Sequence, residues 1–240
     1  MDHSKLARGG LAIVATLCSV ITARAQAPVT VHVNVVGSAS RKAGSDSSNV
    51  AVWLTPADPQ GRAALAASSS PVKIVQRNKT FEPHVTVIRT GSYIDFPNDD
   101  PFFHNVFSLY NGKRFDLGLY EAGQSKPVRF DRPGVSYLFC NIHENMSAVV
   151  IAVDTPYYGV SDHAGQVSIP HVPDGSYTLH VFYERSTAEE LKTLERQVTI
   201  TASARSIDTL QVTESPNVTL AHKNKYGEDY VPPPSSGYGP

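Results

Sequence analysis

The sequence predicts an all-β protein, built as a sandwich or a barrel of short strands. Its 240 residues include 17 prolines and 16 glycines, which separate segments rich in valine, threonine and tyrosine at short intervals along the chain. β-branched and aromatic residues favour strands, and regularly spaced turn residues between them are typical of sandwiches and barrels. Only one short segment has the pattern of a helix, which argues against an all-α fold.

Short strands are predicted wherever a β-branched or aromatic segment lies between turn residues. The segments at 38–49 and 56–71 are rich in small and polar residues, and we interpret them as a loop and an irregular insertion. The predicted strands of this first part of the chain are 29–36, 50–54, 72–76, 85–89, 93–96, 105–109, 127–130, 135–139 and 148–153.

A second, smaller β unit is predicted from residue 155 to residue 214. Its expected strands lie at 166–169, 176–183, 198–201 and 207–212. Ser186 or Thr187, followed three residues later by Glu189 or Glu190, has the form of a capping box and predicts a short helix through Leu194. A unit of this size buries little core on its own, so we expect it to pack against the first domain. The polar and then proline-rich residues 215–240 predict a flexible tail.

The N-terminus has the pattern of a secretory signal peptide. Lys5 and Arg8 precede an apolar run at 11–21, and an Ala-Arg-Ala sequence ends at Ala25. Cleavage after Ala25 would make residues 1–25 the signal. The apolar run is too short to span a bilayer comfortably, which argues against a membrane anchor. We therefore expect an exported protein, in the periplasm if the cell has one, that is soluble after cleavage and has no membrane span.

Charge and cysteine content restrict the partners and the covalent links that are possible for this protein. The formal net charge is −1 and the pI is about 6.7, so no basic excess indicates nucleic acid as a partner. Removal of the signal removes Cys18 and leaves Cys140 as the only cysteine, so no internal disulfide can form. A lone thiol in an oxidising compartment is exposed to damage, and metal ligation would protect it.

Four potential metal ligands occur in a short part of the chain. Cys140, His143 and Met146 follow a predicted strand within seven residues, and His104 begins another strand 36 residues upstream of Cys140. Two imidazoles, a thiolate and a weak thioether are the ligands of a blue-copper site. These residue types in this order predict that one copper ion is bound by His104, Cys140, His143 and Met146.

Other interpretations of these residues remain open from the sequence. Each residue alone has an ordinary structural role available, as a buried thiol, a core methionine or a packed histidine. Zinc would favour more thiolates or a carboxylate and would not need Met146. The segment holds one cysteine, where a binuclear copper centre would need two. We expect the remaining histidines of the mature chain to be structural: His32, His84, His163, His171, His180 and His222.

The ligand segment resembles that of the cupredoxins, the type I blue copper family. Cys-x₂-His-x₂-Met at 140–146 is similar to the short ligand loop of amicyanin, and plastocyanin has a longer one. Upstream, Phe-Glu-Pro at 81–83 and the stretch from Gly91 to Asp100 resemble the cupredoxin pattern that leads into the first histidine ligand. The resemblance covers about residues 70–154. The long segment at 29–76 departs from small cupredoxins.

The resemblance implies a fold and a role for each site residue. It implies a Greek-key cupredoxin β-sandwich over 28–154, with its core at 70–154. His104 and His143 would be the imidazole ligands, Cys140 the thiolate and Met146 the axial ligand of one type I copper. Asn105 would tie the two ligand loops together by hydrogen bonds. The segment 155–214 resembles the small carboxypeptidase-regulatory-like, or transthyretin-like, β-sandwich.

The implied function is one-electron transfer by a periplasmic carrier that is not an enzyme. We expect a monomer whose redox partner is a c-type cytochrome or a periplasmic dehydrogenase. Copper storage or delivery, or a cell-surface binding module without a redox role, remain the alternatives. A docking surface is predicted around the ligands. Its apolar residues would be Pro101, Phe102, Phe103 and Ile142, with Asp99, Asp100 and Glu144 at the rim and at least one of the two phenylalanines capping the core.

Overall fold

The fold is taken from a computed structural model, which describes residues 27–37, 46–58, 72–109, 112–218 and 221–230. The predicted signal peptide, most of the insertion at 56–71 and the last ten residues lie outside this part of the chain. Within it, no helix has the length and apolar character needed to cross a membrane.

The described chain is almost entirely β-structure, with one short helix, and the all-β prediction is confirmed. The elements of its first part are β1 Val29–Val36, β2 Ala51–Pro56, β3 Val72–Lys73, β4 Val75–Arg77, β5 Thr80–Glu82, β6 Val85–Arg89, β7 Tyr93–Pro97, β8 His104–Ser108, β9 Phe115–Tyr120, β10 Ser125–Arg129, β11 Gly134–Phe139 and β12 Ser147–Val153. Those that follow are β13 Tyr158–Val160, β14 Gln166–Ile169, β15 Gly175–Phe182, α1 Ala188–Thr193, β16 Arg196–Ile200 and β17 Ser206–Thr213.

The predicted metal ligands lie in a two-sheet sandwich. One sheet has the strand order β10-β7-β3, and the other has the order β6-β12-β11-β8-β9. A single cluster of buried side chains contains residues from both sheets, so the sheets pack face to face. Among its members are Ile94, Phe96 and Val128 from the first sheet and Val106, Leu138 and Val150 from the second. Cys140 and Met146 belong to the same cluster, which places them at the core rather than on a surface loop.

The larger sheet of this sandwich is covered on both faces. Along β12, Ala148, Val150 and Ala152 face the cluster that contains Cys140. The residues between them, Val149 and Ile151 among them, join a second cluster with the strands of the C-terminal part. Because successive side chains of a strand point to opposite faces, a strand buried on both sides has to be apolar throughout. The sequence SAVVIAV of β12 meets that requirement.

The two N-terminal strands pair with the C-terminal unit. Strand β1 lies between β14, to which it is antiparallel, and β17, to which it is parallel. Strand β2 lies between β13 and β15 in a second sheet with the order β13-β2-β15-β16. These pairings cross the predicted boundary between a domain at 28–154 and a unit at 155–214, and that division remains a prediction.

The short helix begins as the capping-box pattern predicts. Thr187 is the N-cap residue: its hydroxyl accepts a hydrogen bond from the Glu190 amide, and the Glu190 carboxylate accepts one from the Thr187 amide. Of the two alternatives that the sequence left open, the Thr187 and Glu190 pair is the one formed. Leu191 is the buried residue of the helix and packs into the second cluster.

Replacing Ile151 by alanine tests the packing of the C-terminal unit against the larger sheet. Ile151 is 2% exposed within the second cluster. We expect Ile151→Ala to lower the free energy of unfolding by about 2–4 kcal/mol, because it leaves a cavity between two packed layers. Chemical denaturation measures the change. Ile142→Ala, at a position 46% exposed, is the matched control and should lose far less. Equal losses in the two variants would contradict this packing.

Candidate metal centre

The site forms where two neighbouring strands of the larger sheet meet. His104 is the first residue of β8, and Cys140 directly follows β11. The strands are antiparallel, with Phe107 opposite Phe139, so the start of one lies beside the end of the other. Residues that are 36 positions apart in the sequence are therefore adjacent in space.

The Cys140–Met146 loop is closed by its own backbone. The Cys140 amide donates to the Met146 carbonyl at 3.1 Å, and the Met146 amide donates to the His143 carbonyl at 3.2 Å. Strand β12 begins at Ser147, opposite Phe139 of β11. The loop is thus a tight connection between paired strands, and it folds His143 back towards Cys140.

Three donor atoms converge at this end of the sandwich. Cys140 Sγ lies 3.5 Å from His143 Nδ1 and 3.7 Å from His104 Nδ1. All three atoms lie within 4.8 Å of one another, and no other group of this kind occurs in the part of the chain that the structure describes. His104 and Cys140 are fully buried, whereas His143 is partly exposed. One thiol sulfur and two imidazole nitrogens therefore face a common point, with one edge of the site near solvent.

A buried carboxylate orients His104. Asp100 Oδ2 lies 2.7 Å from His104 Nε2. The carboxylate also accepts hydrogen bonds from the amides of Asn78 and Lys79. Although burial acts to raise the pKa of Asp100, these hydrogen bonds outweigh it and the pKa is lowered. An ionised carboxylate can only accept a hydrogen bond, so His104 donates to Asp100 from Nε2, and Nδ1 is the ring nitrogen that faces the sulfur.

The rim position predicted for Asp100 is wrong, since the side chain is only 5% exposed. Its neighbour Asp99 is a surface residue that pairs with Arg77 at 2.7 Å. Because both residues are aspartates, the sequence could not show which of them is buried. The difference in burial arises from the turn before β8. In that turn the Asn98 side chain accepts a hydrogen bond from the Asp100 amide and donates one to the Phe102 carbonyl.

Burial and neighbouring groups shift the pKa values of the other two donors in opposite directions. Burial raises the pKa of the Cys140 thiol, but the amides of Asn105, Ile142 and His143 donate towards its sulfur and oppose that rise. The pKa of His143 is lowered, first by burial and then by the nearby His104 and Lys79. A neutral imidazole and a sulfur supplied with hydrogen-bond donors are suited to a cation, which deprotonates a thiol that it binds.

Met146 and Asn105 are the other two residues that the sequence predicts at the site. Met146 is fully buried in the cluster that contains Cys140. Asn105 was expected to link the two ligand loops, and its backbone amide points at Cys140 Sγ. Its side chain instead donates to Asp116 of β9 at 2.7 Å. The ligand roles of His104, Cys140, His143 and Met146 and the linking role of Asn105 remain predictions.

Apolar side chains lie at the exposed edge of the site. Phe102, Phe103 and Ile142 are 37%, 51% and 46% exposed. The Phe102 ring lies 5.2 Å from the His104 ring and 5.7 Å from the His143 ring. The expectation that one phenylalanine caps the core is wrong, because both are at the surface. They extend the apolar surface around His143.

Most of the other histidines have structural partners, as expected. His84 contacts Glu184 at 2.7 Å, and His180 stacks on Trp53. His222 is different, because its ring lies 4.0 Å from that of Phe139, the residue before Cys140. Within residues 221–230, Lys225 and Tyr230 donate hydrogen bonds to Asn141 and Cys140 of the ligand loop, where the sequence predicted a flexible tail. Their polar composition gave no signal of this contact.

Comparison with known proteins finds similarity in structure. No protein-family model and no curated protein matches the sequence. Among solved structures, a copper-containing nitrite reductase from Thermus scotoductus SA-01 is 22% identical over 41% of this chain, with a TM-score of 0.34, and the match spans 27% of its length. A purple cupredoxin from Nitrosopumilus maritimus is 23% identical over 34% of this chain and 99% of its own, with a TM-score of 0.32. A reduced amicyanin variant is 14% identical over 42% of this chain and 91% of its own, with a TM-score of 0.34. Structural neighbours of the chain thus include cupredoxins, and each of these matches covers less than half of this chain.

Replacing Asp100 by alanine tests how the turn before β8 is held. We expect Asp100→Ala to lower the free energy of unfolding of the metal-free protein by about 2–4 kcal/mol, because two backbone amides and a buried imidazole lose their acceptor. Asp99→Ala, the neighbouring control, removes only a surface ion pair and should cost less than about 1 kcal/mol. Denaturant titration of both variants measures the difference. Similar stabilities for the two would show that Asp100 does not hold the turn.

Proposed function

We propose that this protein is an electron-transfer protein that binds one type I copper ion through His104, Cys140 and His143, with Met146 as a weak axial ligand. The observation that carries the proposal is the convergence of two imidazole Nδ1 atoms and one cysteine sulfur within 4.8 Å of one another. These donors come from two paired strands and one short loop, so they are available without rearrangement of the fold.

The donor set fits copper better than zinc. Structural zinc sites use four strong ligands, usually several thiolates, and catalytic zinc sites use three protein ligands with an open position for water. Here a single thiolate is joined by two imidazoles, and the next sulfur along the loop belongs to the fully buried Met146. A trigonal His₂Cys set with a weak methionine is diagnostic of blue copper.

The protein supplies rigidity around this ligand set. A type I copper ion, when bound, exchanges one electron between its Cu(I) and Cu(II) states. Asp100 fixes the ring of His104, and three backbone amides are directed at Cys140 Sγ. The loop that carries His143 is closed by two backbone hydrogen bonds. Donors held in this way keep the same positions in both oxidation states, so little has to move when an electron is transferred.

The exposed edge of His143 is the proposed point of electron entry and exit. Phe102, Phe103 and Ile142 provide an apolar surface next to it. A small apolar surface suits brief docking with a redox protein, because such encounters use small interfaces. We propose a c-type cytochrome or a dehydrogenase in the periplasm as the partner, with export directed by residues 1–25. The protein would act as a carrier rather than as an enzyme.

Replacing Cys140 by serine tests the proposed ligand set. The copper-loaded wild-type protein should show an intense visible absorption band from sulfur-to-copper charge transfer, and Cys140→Ser should lose it because serine cannot supply a thiolate. His104→Ala should weaken copper retention, whereas the control His180→Ala should not, since His180 stacks on Trp53 in the C-terminal unit. A band that persists in Cys140→Ser would contradict the assignment. Wild-type protein that binds copper without such a band would support storage or delivery instead.

Met146→Leu separates redox tuning from metal retention. Leucine keeps the side-chain volume nearly constant and removes the sulfur donor. Because a weak axial donor stabilises Cu(II) more than Cu(I), we expect the reduction potential to rise by the equivalent of about 1–2 kcal/mol while copper stays bound. Cyclic voltammetry measures the shift, and metal analysis measures retention. An unchanged potential would show that Met146 is not an axial ligand, and complete loss of copper would make it a principal one.

A further inference from the structure

We propose that residues 221–230, here called the strap, hold the Cys140 loop and the start of β8 in their ligating arrangement, with Tyr230 and Lys225 as positioning residues. The inference rests on the proposed function for its effect on copper. Its effect on the Cys140 thiol can be measured without any metal.

Tyr230 connects the strap to the thiolate residue itself. Its hydroxyl donates to the Cys140 carbonyl at 2.8 Å, across 90 positions of sequence. The same hydroxyl lies 3.2 Å from His222 Nδ1. The His222 ring in turn packs 4.0 Å from the ring of Phe139, which precedes Cys140. Tyr230 and His222 therefore hold the backbone on which the sulfur ligand is carried.

Lys225 connects the strap to both ligand-bearing segments. Its backbone amide donates to Asn141 Oδ1 at 2.9 Å, directly after Cys140. Its Nζ lies 2.7 Å from Asp116 Oδ2 on β9. The other oxygen of Asp116 accepts from the side chain of Asn105, which follows His104. One strap residue thus reaches the loop after Cys140 and, through Asp116, the strand that begins at His104.

The strap has a folded shape of its own. The Asn224 side chain accepts hydrogen bonds from the amides of Tyr226 and Glu228, at 2.9 and 3.0 Å. Gly227 takes a positive φ of 81°, which allows the chain to turn at this point. A preformed turn costs less entropy when it docks, so its contacts with the ligand loop retain more of their free energy.

A site whose supporting residues are held in place binds metal better than one with mobile ligands. Without the strap, the Cys140 carbonyl and the Asn141 side chain would lose these partners, and the loop would open more often. Opening exposes the buried thiol and separates it from the two imidazoles. The strap is therefore expected to slow both chemical modification of Cys140 in the metal-free protein and loss of copper from the loaded protein.

Tyr230→Phe tests the proposal, because it removes the hydroxyl that reaches Cys140 and retains the ring. Tyr93→Phe is the matched control, since Tyr93 lies on β7, outside the strap, and is 51% exposed. Without the predicted signal, Cys140 is the only cysteine of the chain, so reaction with a disulfide reagent reports on this thiol alone. Because the thiol is buried, its reaction rate measures how often the loop opens.

In the metal-free protein, we expect Tyr230→Phe to react about five-fold faster than wild type, as expected for the loss of one net hydrogen bond. Tyr93→Phe should match wild type. Lys225→Met should also react faster, because it releases Asp116 from the strap. In the copper-loaded protein, transfer of copper to a chelator should accelerate in the same order. Wild-type rates in both Tyr230→Phe and Lys225→Met would overturn the proposal.

The two arms of the experiment separate this inference from the proposed function. If wild-type protein takes up no copper but Tyr230→Phe still exposes the thiol faster, the strap is supported and the copper site is wrong. If copper binds with its visible band and none of the strap variants changes either rate, the copper site stands and the strap is wrong. Equal acceleration by Tyr93→Phe would also count against the strap, since that change leaves every strap residue in place.

Discussion

The pairing of β8 with β11 is the interaction on which the candidate site depends. Phe107 lies opposite Phe139, and this register places His104, at the start of one strand, beside Cys140, at the end of the other. A slip of one residue would turn every side chain of a strand to the opposite face of the sheet and remove its ligand from the site. The short loop to Met146 then brings His143 beside Cys140, and residues 225 and 230 contact this loop from a distant part of the sequence. The placement of the three donors of the candidate site thus follows first from strand register.

The sheet that contains this pair has two strands, β6 and β12, that are buried on both faces. Its inner face packs against the sheet β10-β7-β3, and the outer face of β6 and β12 packs against the C-terminal unit. The strap contacts the same region from the C-terminal part of the sequence, where Tyr230 and Lys225 reach the residues around Cys140.

The sequence predicted those features that depend on short-range patterns. The strands follow from β-branched segments between turns, and the helix start follows from Thr187 and Glu190. The ligand set of His104, Cys140, His143 and Met146 remains a prediction. The pairing of β1 with β14 and β17 could not be predicted, because any apolar alternating strand can pair with several partners and only the assembled sheet selects one. The burial of Asp100 depends on a turn whose geometry no single residue reveals. The strap was missed because a polar segment docks through a few specific hydrogen bonds, which leave no pattern in composition.

X-ray absorption spectroscopy at the copper edge tests most directly whether Cys140 and two histidines bind the metal. The sample is wild-type protein loaded with one equivalent of Cu(II), and the spectrum reports the types of atom bonded to the metal. We expect one short copper–sulfur bond and two copper–nitrogen bonds of the imidazole type, with one copper per chain by metal analysis. Coordination by oxygen and nitrogen alone would contradict the site, because it would leave the buried sulfur of Cys140 without a role.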